Sequence, residues 1–593
     1  MKFLYYILFS VCTFSVYAQV IPSNNRVEWD KAGCQYTFTE PQLVADVMNF
    51  GAHADGITDD MQAVVDAISS LNGRYGVVYF PSGTYLLQSG VSLPDSVVIR
   101  GAGSDSTFIK LNSTGSCFGV YGTSDGIFTD IVSGFNKDSE KITVDNIGIF
   151  SNGDYVEIRQ ENGSWDSNPA TWATYSVGQI TRVVSITGDT LFLEDKLRIT
   201  FDTTLGLEIR KILPKKYISI ECLNIERTDS STSGTGYNFE FNLAVNCRVK
   251  GVESNKSQGS HCMINLGSHI EIKGCYFHDA YMYDGSGTKG YGVTLNCHSG
   301  LCLISDNIFK HLRHAMMTKH GANGNVFAYN YSIEVFRNGS GEFPADYGGD
   351  ISLHGHYSFA NLFEGNIVQN IHIDNYWGPS GPYNTFFRNR AEHYGIIMTT
   401  SQTNNQNFVG NEITGGSLPF GSYIITGTGN FEYGNNKNDT IIPSGTDTLN
   451  DLSYYLSAIP SFWDIPGNWP SIGIGNTFNT GSIPAKERYL AGTFTDCSND
   501  IINSIQTYNK NDIHVYPNPV AGSSAITIEL PENIGKHTVE VCDIYGKILK
   551  QESFYNINQG SVQFNLPGNI DKGIYVLRIY SQNAAYTKQL IKL

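Results

Sequence analysis

Charge is scarce in this chain. Asp, Glu, Lys and Arg together make up 16% of the residues, against about 25% in an average soluble domain. What charge there is leans acidic, with 39 Lys and Arg against 56 Asp and Glu and a net −17. A chain of that sign makes a poor general nucleic-acid binder, because phosphate binding needs a basic face. No heptad pattern supports a coiled coil. A hydrophobic content of 41% is too high for a largely disordered chain. There is no CxxC pair and no Cys/His zinc spacing. Past the N-terminus no run is apolar and long enough to span a bilayer.

What is abundant points to all-β structure with many turns: 61 Gly, 35 Tyr and 32 Phe among 593 residues. Met1–Ala18 has the form of a secretory signal peptide, with Lys2, an apolar run Phe3–Val16 and a small residue at Ala18. Cys12 follows the bulky Val11, which argues against lipidation. The remaining cysteines face an oxidising setting but lie mostly within strand-like runs. Cys297 with Cys302, and Cys34 with Cys497, are the pairs that spacing suggests.

A repeat dominates the middle of the chain. Asn325-Val-Phe-Ala-Tyr-Asn330, Asn361-Leu-Phe-Glu-Gly-Asn366 and Asn384-Thr-Phe-Phe-Arg-Asn389 share a frame, and Gln406–Asn411, Cys302–Asn307 and Cys247–Val252 continue it. Counting the last residue of each unit, with Cys275 between, the steps are 23, 32, 23, 36, 23 and 22. A rung of that length, with two insertions near ten residues, predicts a right-handed parallel β-helix. The recurring Asn suits αL corners and stacking along the helix. A capping helix is expected over 58–71, with Thr58 as N-cap and an apolar stripe at Met61, Val64, Val65, Ile68 and Leu71. Asp55, Asp59 and Asp60 read as turn and cap residues. A small β-subdomain is expected as an insert over 153–214, and a C-terminal cap over 452–492. The β-helix as a whole is placed at 19–507, and a small β-sandwich at 508–593.

Two resemblances accompany these patterns. Phe50-Gly51-Ala52, Asp55-Gly56, Thr58-Asp59-Asp60 and Phe80-Pro81-Ser82-Gly83-Thr84-Tyr85 resemble the pectate lyase superfamily, which implies the β-helix fold and a polysaccharide-directed role. Tyr516-Pro517-Asn518-Pro519, Asp543-Ile544-Tyr545-Gly546-Lys547, Gly573–Leu577 and Thr587–Ile591 resemble the type A sorting domain of the type IX secretion system. That implies export across an outer membrane, to the medium or the cell surface, with the secretion machinery as partner.

The rung frame also nominates a site. Counted back from each unit's end, His298, His320 and His356 fall on successive rungs, with His354 beside them. Alternation against the inward Ile351 and Leu353 sends Ser352, His354 and His356 outward; the same rule sends Thr294, Asn296 and His298 outward. Arg313, His314, Lys319, Arg388 and Arg390 bring cations nearby, and Tyr376, Trp377 and Tyr383 bring rings able to stack on sugars. The set suits a carboxylated or sulfated glycan. β-Elimination fits it best: His320 or His356 as base, Arg388 or Lys319 neutralising the uronate, and His298, His354 or a Tyr donating. Arg313, Arg390, Tyr376, Trp377 and Asn296 are then substrate-binding residues. Hydrolysis through two of Asp346, Asp350, Glu342 and Asp374 is the second reading, and a glycan-binding β-helix without turnover the third. No cofactor is assigned; His298, His320 and His356 could offer nitrogen to a transition metal, but rung stacking lines them up instead of converging them on a point. Calcium at Asp279, Asp284 or Asp350 stays open, although no loop has a calcium-motif spacing. A monomer acting on an acidic polysaccharide is expected; the sugar itself and endo or exo action are not legible.

Overall fold

The computed structural model describes residues 19–230, 236–283, 287–337, 348–460, 462–463, 469, 472–475, 477–497, 514–520, 525–529, 537–543, 548–554, 561–568, 570–580 and 585–592. The expected signal peptide and Cys12 lie outside them. The chain divides after Cys497 into two compact units.

The first unit is a parallel β-helix. One flank is a 12-stranded parallel sheet and the rest a 21-stranded sheet that bends around the other faces. Strands Arg248–Lys250, Glu271–Lys273, Leu303–Ser305, Val326–Ala328, Leu362–Glu364, Thr385–Phe387 and Asn407–Val409 pair in register, each with the next. Their central residues Val249, Ile272, Ile304, Phe327, Phe363, Phe386 and Phe408 point inward and are fully buried. The four phenylalanine rings stack 5.1 Å apart and within 10° of parallel. A rung this thin has no core of its own, so stacking supplies the burial.

Side-chain amides hold the corners. Asn307, Asn330, Asn366, Asn389, Asn411 and Asn435 form one buried ladder, in which each Oδ1 accepts from the backbone N–H and the Nδ2 of the preceding Asn at 2.8–3.1 Å. Each Nδ2 also donates to a strand carbonyl, as Asn366 does to Phe327 at 2.9 Å. Asn325, Asn361, Asn384 and Gln406 form a second ladder of the same kind. The residue before each Asn of the first ladder from Asn330 onward is left-handed: Tyr329, Gly365, Arg388, Gly410 and Gly434 have φ of 56°, 66°, 51°, 66° and 65°. Such a corner breaks strand pairing, and the Asn amide replaces the lost partner.

The expected elements differ from the observed ones in three places. The N-terminal helix is Met61–Ser70, preceded by Asp60, and Asp55–Asp59 is a strand beside Gly83–Leu87. Thr58 is not its cap: its N–H and hydroxyl both donate to Asp55 at 2.8 Å. The insert is a closed six-stranded barrel of Thr123–Ser133, Lys141–Val144, Tyr155–Gln160, Val177–Thr187, Thr190–Leu193 and Glu208–Leu213. It therefore begins thirty residues earlier than alternation suggested, because Thr123–Ser133 is mostly solvent-facing and shows little apolar periodicity. Finally, the described part of 452–492 reaches the last rungs only along one flank, where Ile472 and Ile474 pack with Val409, Phe431 and Tyr433, and it extends over earlier rungs as well. Tyr454, Tyr455, Trp463 and Ile472 pack on a flank that includes Tyr329, Leu362, Phe387 and Val409. That flank's outer residues are apolar and need the cover. All ten described cysteines are free thiols, those of both suggested pairs included; the Cys34 thiol donates to Tyr36 O and the Cys302 thiol to Gly300 O.

The second unit is an antiparallel sandwich. His514–Tyr516, Ala525–Glu529 and Ser561–Asn565 make one sheet; His537–Cys542, Ile548–Phe554, Gly573–Tyr580 and Ala585–Lys592 make the other. Ile526, Ile528, Val539, Val541, Phe564, Leu577 and Ile579 form the core between them.

The ladder makes a direct prediction. Asn366→Ala removes the acceptor of the buried Asn330 N–H and the donor to Phe327 O. At about 1–3 kcal/mol for each of these two buried groups left unpaired, the variant loses about 2–6 kcal/mol. Denaturant unfolding of the wild type and the variant measures it.

Candidate active site

Register across the 21-stranded sheet aligns one outward position on successive rungs. Leu295 pairs with Thr318, Thr318 with Leu353, Leu353 with Ile373 and Ile373 with Met398. All five of these are buried. The next residue of each strand, Asn296, Lys319, His354, Asp374 and Thr399, turns the other way, one rung apart at about 4.8 Å. These five line a cavity of about 770 Å³. Tyr291, Arg313, His314 and Arg337 complete it on one side, and Trp172, Tyr376 and Trp377 on the other.

The row of histidines counted from the sequence is elsewhere. His298, His320 and His356 have φ of 58°, 50° and 45°. They occupy the corner that follows the strand, where alternation no longer applies. The corner after His354 is also one residue longer, since His320 N donates to Gly355 O and Gly321 N to His356 O. Counting back from the Asn therefore slips by one at this rung and sets His354 against Thr318 instead of Lys319.

The barrel covers this corner row. His298 Nδ1 meets Glu157 at 2.8 Å and its Nε2 meets Tyr175 O at 2.8 Å. Glu157 also binds Arg210 at 2.5 Å. Burial opposes its charge, but His298 and Arg210 hold the carboxyl at about 2. His356 Nε2 lies 3.2 Å from Asn168 O, and the Trp172 ring stands edge-on to both His320 and His356. Burial depresses both imidazoles, with neighbouring histidines adding to the effect at His320. These three residues seat the barrel, and the barrel in turn sets Trp172 at the rim of the cavity, where it is 47% exposed.

Inside the cavity, His354 Nδ1 and Asp374 Oδ2 are 2.7 Å apart. Although burial acts against it, His354 holds the Asp374 carboxyl far below the usual range, helped by His372 and the Tyr376 N–H. A carboxylate there accepts from Nδ1–H and turns Nε2 to the cavity. The Tyr376 ring lies parallel to the imidazole, 5.8 Å away. Lys319 makes no ion pair among the described residues, and burial lowers its amine to about 8. Its ammonium position is 5.8 Å over the Trp172 ring. Arg313 Nη1 is buried with no hydrogen-bond partner among the described residues. Burial, Arg313 and His354 keep His314 well below the usual histidine value.

Of the residues nominated from the sequence, Lys319, His354, Arg313, Tyr376, Trp377 and Asn296 meet in the cavity. Arg388 does not: its guanidinium is spent on the carbonyls of Asp451, Ile472, Ile474 and Leu449. Arg390 pairs with Glu412 at 2.6 Å and binds Gly481 O. Both follow the phenylalanine strands and point to the flank, away from the cavity. Asp350 is buried, accepts from Ser332 and the Gln369 and Asn370 amides, and is pushed up to about 6 by burial. Asp279 is taken by His278 at 2.9 Å. Asp284, Glu342 and Asp346 lie outside the described residues. Asp374 is the one carboxylate lining the cavity among the described residues, and no group of three metal-ligating side chains occurs among them. The sequence did signal His372 and Asp374, since Ile371 and Ile373 alternate with them. Nothing local signals Trp172, which arrives from the barrel.

Residues 44–176 match the family described as rhamnogalacturonase A/epimerase, pectate lyase-like, and residues 514–593 match the secretion system C-terminal sorting domain. The mannuronan C5-epimerase AlgE4 of Azotobacter vinelandii is 32% identical over 146 residues, which is 20% of this chain and 26% of that protein. The pre-neck appendage protein of Bacillus phage phi29 is 40% identical over 70 residues, 12% of this chain. The chain spans only 8% of the length of the first phage relatives it matches. Among solved structures, the tailspike gp49 of Pseudomonas phage LKA1 superposes with a TM-score of 0.40 at 14% identity, covering 63% of this chain and 64% of that one. The AlgE4 A-module gives 0.29 at 13%, covering 65% and 95%. The chain thus carries a pectate lyase-like region related to carbohydrate-active proteins and a sorting domain that directs it to the cell surface or the extracellular space.

The seam yields a prediction. Glu157→Ala leaves His298 and Arg210 without their shared carboxylate and costs about 3–5 kcal/mol. Hydrogen exchange across 161–177 accelerates in the variant, while the Asn ladder stays protected.

Proposed function

We propose that the protein is a secreted polysaccharide lyase that cleaves an acidic, uronate-containing polysaccharide by β-elimination. One observation carries the reading: a buried lysine with no ion pair among the described residues stands in a row with an Asp-held histidine, in a cavity that also holds two guanidinium groups. Arg313 and Arg337 bind the uronate carboxylate and stabilise the negative charge that develops on it. The neutral Lys319 amine takes the proton α to that carboxylate. The C–H electron pair becomes the new C=C bond, and the glycosidic oxygen departs with its own pair. His354, as the doubly protonated imidazolium whose Nδ1–H is held by the Asp374 carboxylate, gives that oxygen a proton from Nε2. Trp172, Tyr376 and Trp377 offer faces to the sugar rings. Lys319 suits the base role better than the charge-neutralising one expected from the sequence, because its surroundings favour the uncharged amine.

Hydrolysis through two carboxylates is less well supported, since Asp374 is already bound to His354. The similarity to epimerases belongs to the same chemistry, as C5 epimerisation begins with the same proton abstraction. An acidic-polysaccharide panel separates these outcomes. A conjugated C=C–carboxylate chromophore supports elimination. New reducing ends without it indicate hydrolysis. Deuterium uptake from heavy water without cleavage indicates epimerisation, and binding with none of these indicates a glycan-binding protein.

Two further outcomes follow from Lys319. The limb of the pH–rate profile that belongs to Lys319 rises with pH toward about 8, because only the neutral amine accepts a proton. Lys319→Met lowers kcat by about 10²–10⁴. The same variant is the more stable protein at neutral pH, on the order of 1–3 kcal/mol, because it removes a desolvated ammonium without a partner. The folded value lies below the ordinary 10.5, so wild-type stability climbs between about pH 8 and 10.5 and the advantage of Met shrinks over that window. Paired thermal melts and pH–rate profiles check both.

A further inference from the structure

We propose that Cys222 and Cys497 form a disulfide that fastens the C-terminal strap of the β-helix unit just ahead of the chain leading to the sorting domain. The strap runs back along one row of corners. Arg488, in the helix Pro484–Ala491, reaches Asp306 Oδ2 at 2.7 Å. Phe494 stacks on Tyr276 at 4.7 Å, and Thr495 Oγ1 meets Ser104 Oγ at 2.6 Å. Asp496 N donates to Gly274 O at 2.8 Å, and the Cys497 thiol donates to Gly251 O at 3.1 Å.

The corners under the strap are bare because it lies on them. A Cβ on Gly274 would stand 2.9 Å from Asp496 Cβ; one on Gly251 would stand 2.6 Å from Asp496 O and 2.8 Å from Cys497 Sγ. The next corner of this row is Cys222, whose N–H donates to Lys250 O just as Gly251 donates to Lys273 O. It has a φ of 52°, a conformation disfavoured for a residue with a side chain. Its thiol donates to Cys497 O at 3.8 Å, which sets it beside the residue whose thiol caps Gly251. Both cysteines are half-buried, whereas Cys117, Cys247, Cys262, Cys275, Cys302 and Cys542 are sealed. The neighbouring Cys222 thiol favours a thiolate at Cys497 and lowers its pKa. Cys497 is therefore the attacking sulfur.

The oxidant is an external disulfide, which an exported protein meets. The Cys497 thiolate displaces one thiolate from it and forms a mixed disulfide. Cys222, losing its proton, then displaces the second thiolate and closes the bond. Two protein thiols lose two electrons and two protons, and the external disulfide is reduced to two thiols. The bond closes a loop of 275 residues. A pull or a protease acting on the chain beyond Cys497 then cannot peel the strap from its corners.

The test uses the full chain, purified without reductant and incubated with glutathione disulfide. It is then denatured in N-ethylmaleimide, digested and analysed by mass spectrometry. The expected result is a Cys222–Cys497 cross-linked pair, two hydrogens lighter than its separate peptides. Maleimide on both residues, or glutathione on each separately, overturns the proposal. Trypsin supplies a second readout. Reduction of the wild type should raise cleavage after Lys486 and Arg488 to the rate of Cys222→Ala, while the variant itself does not respond to reductant. Equal wild-type rates before and after reduction also overturn it.

Discussion

Buried backbone amides at the corners of a parallel β-helix must find partners without water, and here the side-chain amides of stacked asparagines supply them. Each ladder Asn binds the Asn of the next rung and a carbonyl of its own stack. A one-residue slip would break a run of such bonds together and turn every inward Phe outward. Register is therefore set on the apolar flank. The opposite sheet is free to hold residues that contribute nothing to pairing specificity. A lysine, a histidine and an aspartate can occupy consecutive positions of one row because the asparagines and phenylalanines hold those rungs in place.

The cavity needs the inserted barrel as much as it needs the rungs. Glu157, Arg210 and His298 form a buried charged knot at the seam. Such a knot contributes little net stability but strongly penalises any arrangement that leaves one member unpaired. It thus fixes how the barrel sits, and with it the position of Trp172. That ring and the side walls keep water from Lys319, and desolvation alone lowers the lysine pKa. The acid–base character of the site depends on a contact between two folded parts of one unit, at residues that themselves do no chemistry.

The helix itself was legible in the sequence because its constraint is periodic. Asn330, Asn366 and Asn389 recur with the rung, and Phe327, Phe363 and Phe386 recur with them. The site was half legible. Asn296 ends a strand and His354 directly follows one, so alternation against buried Leu and Ile still decides the face, and the cations Arg313 and Lys319 were named from their neighbourhood. His298, His320 and His356 were misplaced because a left-handed corner ends the alternation, and the sequence of a corner does not announce its length. Arg388 and Arg390 look like free cations in a sequence poor in charge. The partners that consume them are carbonyls and a carboxylate up to 91 residues away. Trp172 and the strand Thr123–Ser133 carry no periodic signal; only closure of the barrel gives them their places.

The acidity of the chain bears on how such a site could work. With a net charge of −17, the long-range field repels a polyanion, and at physiological ionic strength that field decays over about 8 Å. Attraction must come from charges that solvent cannot screen. Arg313, Arg337 and Lys319 satisfy this by position, since they sit inside a walled cavity. Their surroundings also divide the labour between them. A guanidinium stays charged through any accessible pH and can hold a carboxylate. An ammonium stripped of water and left without a counterion yields its proton near pH 8 and becomes an acceptor. Two Arg and one Lys are thus not three equivalent cations: in the proposed reaction burial suits the first pair to binding and the third to proton transfer.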